Sequence, residues 1–219
     1  ELEHSNRELA IQAALERVRK KAMSMHKSED ISSTIKIVFK ELETLGLTTI
    51  RCGIGIFDDQ STKVNIWSAS SDDSNTVADL SGDEYLEGHP LLEGIYKHWQ
   101  LQQDFSYTLK GNELLNYYKK TSQSNFPVSA PENTNAIQYY HCVMFPAGGL
   151  FAFKDSVFSE DVKLLMKKFA EVFHLTFIRH QDLKKAEAQA REAKIEVALE
   201  RVRSRSMAMH KSEELTEVI

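Results

Sequence analysis

Residues 11–29, IQAALERVRKKAMSMHKSE, return almost unchanged as residues 195–213, IEVALERVRSRSMAMHKSE. Thirteen of the 19 positions are identical at an offset of 184 residues, which chance does not produce. Solenoid repeats have periods of about 20–50 residues. A period of 184 implies tandem whole domains instead, each entered through the same segment. One full unit is then present, and residues 212–219 open the next. The chain begins at Glu1, in sequence that already reads as helix, so it is expected to be a piece of something longer.

The repeated segment is itself predicted to be helical. Apolar residues fall at Ile11, Leu15, Val18, Ala22 and Met25, and again at Ile195, Leu199, Val202 and Met209, with Ser206 as the polar exception. Steps of four and three make a narrow coiled-coil seam. Glu16 precedes Lys20 by four residues, the favourable order for an ion pair along a helix. Ser28, followed by Glu29 and Asp30, predicts an N-cap. A second helix then buries Ile31, Ile35, Val38, Phe39, Leu42 and Leu45 and stops at Gly46.

Between the repeats the pattern changes to strands. Residues 50–57 alternate, with Ile50, Cys52, Ile54 and Ile56 on one face, and with KVNIWSA after the turn they predict an antiparallel hairpin over 50–69. Residues 70–89 are rich in Ser, Asp and Gly and read as an irregular connection. Pro90 suits the first position of a helix carrying Leu91, Leu92, Ile95, Tyr96 and Trp99. A strand with Phe105, Tyr107 and Leu109 follows, then a short helix near 111–121 and a polar loop over 122–136. Strands 137–145 and 150–154 flank Pro146-Ala147-Gly148-Gly149. Ser159 caps a long helix.

The long helix has a wide aromatic stripe before about residue 180 and a narrow one of Leu183, Ala186, Ala190, Leu199 and Val202 after it. Between Ala193 and Leu199 the phase slips, which reads as a stutter. Unbroken from 159 to 210 it would span about 78 Å, more than a domain of this size covers. A parallel homodimer through that seam is the expectation.

Helix, hairpin, helical insertion, strands and long exit helix together resemble a GAF domain, the small-ligand sensor module of signalling proteins. The clearest match is GGLFAFKDSVFSEDVKLLMKKFAEVF at 148–173, similar to the final strand, loop and closing helix of that family. The flanking ALERVR and MAMHKSEEL are similar to repeated GAF-like units of Bacteroidetes sensor histidine kinases. The resemblance implies an α+β fold: an antiparallel sheet with helices on both faces, flanked by long coiled-coil helices. It divides the chain into an entry helix (1–28), a sensor domain (29–180), an exit helix (181–211) and the start of the next unit (212–219). Its partners would be the adjacent repeat and an output domain. Ligands of better-characterised GAF subgroups do not carry over.

The candidate chemistry is sparse. Gly53-Ile54-Gly55 lacks the third glycine of a phosphate loop, where Asp58 stands, and reads as glycines admitting a close helix. Cys52 and Cys142 read as buried strand thiols in a reducing compartment. His26 and His210 lack the residues that follow a phospho-acceptor histidine and read as helix C-terminal residues. His89 with His98, and His174 with His180, lack metal spacing. Trp67, Trp99, Tyr107, Tyr139 and Tyr140 are candidates for a ligand cleft, against ordinary packing.

No catalytic set, metal site or cofactor is expected, although a small-molecule ligand is left open. With 27 Lys+Arg against 32 Asp+Glu, the chain lacks the basic field of a nucleic-acid binder, and its basic runs at 17–21 and 201–205 read as solvated helix flanks. No apolar run reaches the roughly 18 residues that span a bilayer. The expected role is cytoplasmic and regulatory: a sensor module, or else a ligand-free spacer that only transmits helix motion.

Overall fold

Strand β1 (Arg51–Phe57) puts Cys52, Ile54 and Ile56 towards one layer and Arg51, Gly55 and Phe57 towards the other, as the two-residue period of a strand requires. It lies between β2 (Lys63–Ser71) and β6 (Gly148–Lys154). With β3 (Val77–Tyr85), β4 (Phe105–Lys110) and β5 (Ile137–Phe145) it forms a sheet of order β3-β2-β1-β6-β5-β4. Every neighbouring pair is antiparallel. The computed structural model describes residues 2–24, 31–71, 77–126, 128–131, 133 and 135–216. The Ser28 cap with Glu29 and Asp30, and Met25 and His26, lie outside the described residues.

Both expected hairpins form, with Ile54 opposite Trp67 and Cys142 opposite Phe151. Residues 77–85 are a correction, because the stretch read as irregular contains the edge strand β3, paired along its length to β2. The Gly-Gly pair also moves from turn to strand. Pro146 and Ala147 connect β5 to β6, and a Cβ on Gly148 would fall 1.9 Å from the Gly55 carbonyl oxygen. Gly53 admits a neighbouring side chain rather than a helix, since a Cβ there would lie 2.5 Å from the Phe151 ring.

Helices cover both faces. On one side α1 (Leu2–Met23), α2 (Ile31–Thr44) and α5 (Glu160–Thr216) pack through Val38, Phe39, Leu42, Phe169 and Phe173 onto Ile54, Leu150 and Ala152. On the other, α3 (Pro90–Leu101) and α4 (Gly111–Thr121) pack through Leu91, Leu92 and Leu114 onto Tyr140, Phe151 and Phe153. Gly46 ends α2 at φ +85°, with Gly46 N–H donating to Glu43 and Leu47 N–H to Leu42, the paired bonds of a Schellman cap. Pro90 opens α3 behind His89, whose Nδ1 accepts from Leu91 N–H at 3.1 Å.

The stripe of α1 is covered by its own domain. Ile11, Ala14, Leu15 and Val18 are buried in the cluster that contains α2 and α5, and Ala22 is buried as well. Two ion pairs flank that stripe, Glu8 with Lys168 of α5 at 2.8 Å and Arg17 with Glu41 of α2 at 2.6 Å.

Helix α5 has 57 residues, a length of about 86 Å at 1.5 Å per residue. It runs through His210 to Thr216, past the end expected for the exit helix at 211. No Gly or Pro follows Gly149 to interrupt it. Residues 184–207 are all exposed. The phase change along them exceeds a stutter. At about 100° per residue, Leu183, Ala186 and Ala190 lie about 150° around the helix from Leu199 and Val202.

Candidate functional site

Between the sheet and the α3–α4 layer lies a cavity of about 40 Å³, lined by Arg51, Glu84, Tyr117, Phe126, Tyr140 and Phe153 among others. A buried water needs about 10–15 Å³ of such space, so this volume accommodates about three. Most of the lining is aromatic or aliphatic. The polar side chains besides the tyrosines are the Arg51 guanidinium, the Glu84 carboxyl group, the Thr121 hydroxyl and the Cys142 thiol.

Arg51 stands at the start of β1 on the inward-facing side of the strand. It is 7% exposed. Its Nη2 donates to the Tyr117 hydroxyl at 2.8 Å, and its guanidinium carbon sits 4.4 Å from the centroid of the Phe153 ring, a cation–π contact. Its Nε is buried without a hydrogen-bond partner among the described residues. Glu84, in β3, is 3% exposed. Its Oε1 accepts from Tyr85 N–H at 2.9 Å, while Oε2 is buried without a partner. Buried polar atoms are nearly always bonded, and a charge taken out of water without compensation is costly. One unsatisfied donor and one unsatisfied acceptor thus belong to residues that line a single cavity.

The rest of the lining is chemically quiet. Burial raises the Tyr117 hydroxyl, against the opposing effect of Arg51, and holds Tyr140 well above the usual phenol range. Burial also pushes the Cys142 thiol up to about 12, so it is not a thiolate at neutral pH and not an activated nucleophile. Among the described residues, the lining offers no nucleophile–base pair. Among the described residues no group of three His, Cys, Asp or Glu is placed to hold a metal ion.

Of the aromatic candidates, only Tyr140 lines this cavity. Trp67 and Tyr139 pack against the α1–α2–α5 cluster, and Trp99 and Tyr107 against the α3–α4 cluster. Trp99 stacks on Phe57 at 4.6 Å and donates from Nε1 to the Pro146 carbonyl at 3.1 Å. Tyr107 donates to Glu113 at 2.5 Å and shares an open hollow at the sheet edge with Tyr139. Of the helix residues, Leu183 is half-buried against the domain, whereas Ala186, Ala190, Leu199 and Val202 are exposed. His98 stacks on Phe105 at 4.3 Å, His89 caps α3, and His141 bonds Ser106 at 2.8 Å. Cys52 and Cys142 are free, buried and in opposite layers.

Arg51 and Glu84 were not candidates on sequence. A signal for Arg51 exists: it is the one charged residue on the face of residues 51–57 that otherwise holds Gly53, Gly55 and Phe57. Glu84 has none, because its strand reads as an irregular connection in sequence.

No model of a known protein family matches the chain, and no curated protein matches it. Among solved structures it is similar to one described as "Structure of the GAF domain", with a TM-score of 0.43 and 7% identity over 76% of this chain and 86% of that one. Among the described residues, no helix is long and apolar enough to cross a membrane.

Proposed function

We propose that this chain is a non-catalytic GAF-like sensory module of a multidomain signal-transduction protein, of the sensor histidine kinase kind. In this reading it holds a small polar ligand between the sheet and α3–α4 and passes its state along α5. The observation that carries the proposal is the cavity with Arg51 Nε as an unpaired donor and Glu84 Oε2 as an unpaired acceptor. The ligand is therefore a small molecule with an acceptor for the guanidinium and a donor for the carboxyl group. Anything larger than a few atoms requires α3–α4 to move outward, which supplies the conformational signal. Two chains pair in parallel along α5, where Leu164, Leu175 and Val197 are all more than half exposed and repeat at an 11-residue interval or its multiple, a spacing that keeps one face of a long helix aligned. The setting is the cytoplasm.

The small volume favours a second reading, a ligand-free spacer in which the cavity holds only water. Thermal melts with a panel of small amino acids, carboxylates and amines separate the two. A native-state ligand at 100 times its Kd adds about 2.7 kcal/mol, which raises Tm by about 5–10 °C for a chain of this size. Arg51→Met abolishes that rise in the sensor reading. If Arg51→Met and Glu84→Gln together leave the regulated output of the intact protein unchanged, the spacer reading replaces the sensor.

A further inference from the structure

The exposed face at residues 192–206 has an internal reference, because the same sequence is already docked once in this structure. Helix α1 buries Ile11, Ala14, Leu15, Val18 and Ala22 against α2 and α5. Their counterparts 184 residues later are Ile195, Ala198, Leu199, Val202 and Ser206. Four of the five are identical, and Ser for Ala keeps the fifth small. From Glu8 to Ser24 the other differences between the copies fall at Leu9, Ala10, Gln12, Ala13, Lys20, Lys21 and Ser24, none of which is buried.

The flanking charges recur with the apolar face. Glu8, which pairs with Lys168 at 2.8 Å, corresponds to Glu192. Arg17, which pairs with Glu41 through both Nε and Nη2, corresponds to Arg201. A two-stranded coiled coil would use Ile195, Leu199, Val202 and position 206, and would have no need to keep Ala198 small or to place Glu192 and Arg201 as they are. Packing against an α2–α5 groove does need both. In the present structure 195–202 faces solvent, with Ile195, Leu199 and Val202 at least half exposed.

We infer that residues 192–206 are a docking face for a second domain of this same fold, occupying in it the groove that α1 fills here. The groove it fits carries an acid on the helix equivalent to α2, to meet Arg201, and a lysine on the helix equivalent to α5, to meet Glu192. One uninterrupted helix then serves two domains, closing the first with its N-terminal half and entering the second with its C-terminal half.

A two-domain chain, residues 1–211 followed directly by residues 28–219, tests this with Leu199→Cys as a labelling site. The native cysteines are buried and serve as the slow reference. Cys introduced at 199 should label rapidly in the 219-residue chain and at least 100-fold more slowly in the two-domain chain. Arg201→Glu should restore fast labelling there, and Glu41→Arg in the second domain should bring protection back. Equal labelling in the two chains overturns the inference, as does a second domain that fails to fold when residues 192–206 are its only candidate entry helix. Protection already present in the 219-residue chain, and rising with its concentration, overturns it in favour of a helix–helix seam between copies.

Discussion

Arg17 of α1 and Glu41 of α2 meet at two points, Nε to Oε1 at 2.6 Å and Nη2 to Oε2 at 2.7 Å. The bidentate geometry fixes the register of the entry helix on the domain. The Arg17 hydrogen bonds hold the Glu41 carboxyl below its ordinary value of 4.5, against a smaller opposing effect of burial. A carboxylate whose pKa is depressed by folding stabilises the fold above its unfolded pKa, and that contribution is lost as pH falls through the folded value. Glu41→Gln should therefore lower Tm at pH 7, and the gap from wild type should close on acidification below the ordinary glutamate range. A gap that stays constant through that range would mean that packing, not the ion pair, sets the cost.

The repeat supplies a matched pair of mutations. Leu15 is 4% exposed and Leu199 is 51% exposed, although each lies in the sequence ALERVR. Leu15→Ala removes a packed side chain and should cost about 2–5 kcal/mol. Leu199→Ala should change the stability of this chain by no more than about 0.5 kcal/mol. Denaturant titration of the two variants reads the difference directly, and equal costs would show that the second copy is already packed against something in solution.

Gly148→Ala tests the contact between β1 and β6. Its new Cβ would sit 1.9 Å from the Gly55 carbonyl oxygen, and that obstacle is backbone, not a movable side chain. Gly46→Ala meets no atom within 4 Å and pays only for its φ of +85°, roughly 1–2 kcal/mol. Gly148→Ala should be clearly the more damaging of the two in urea melts. The reverse order would place the β1–β6 register in error.

Much of this architecture was legible because apolar residues at every second position are a strong strand signal. Cys52, Ile54 and Ile56 announce β1, and Phe105, Tyr107 and Leu109 announce β4. Strand β3 was not legible: an edge strand bonded only to β2 tolerates Ser81, Gly82, Asp83 and Glu84, which in sequence look like a loop. The role of α1 was hidden for a different reason. A stripe with four-three spacing serves a coiled coil and a helix docked on two others equally well, and only the burial of Ala14, which lies off that stripe, separates them. The cavity pair escaped because Glu84 reaches it from the strand that was missed.

The two exposed stripes of α5 lead to the last prediction. A single seam from 183 to 209 would make Ala190 and Leu199 interchangeable in their effect on association. On one continuous helix they point in nearly opposite directions, so two different surfaces are in play. If copies of this chain pair along the face that contains Leu164, Leu175, Ala186, Ala190 and Val197, then Ala190→Asp places a desolvated charge in the contact. Leu199→Asp, on the other side, does not. Sedimentation equilibrium at high micromolar concentration should then show a wild-type dimer, at least a tenfold weaker dimer for Ala190→Asp, and an unchanged dimer for Leu199→Asp. A strictly monomeric wild type would remove the parallel pairing from the proposal. Loss of the dimer in Leu199→Asp but not in Ala190→Asp would assign self-association to the face that matches α1, and would withdraw that face from the next domain.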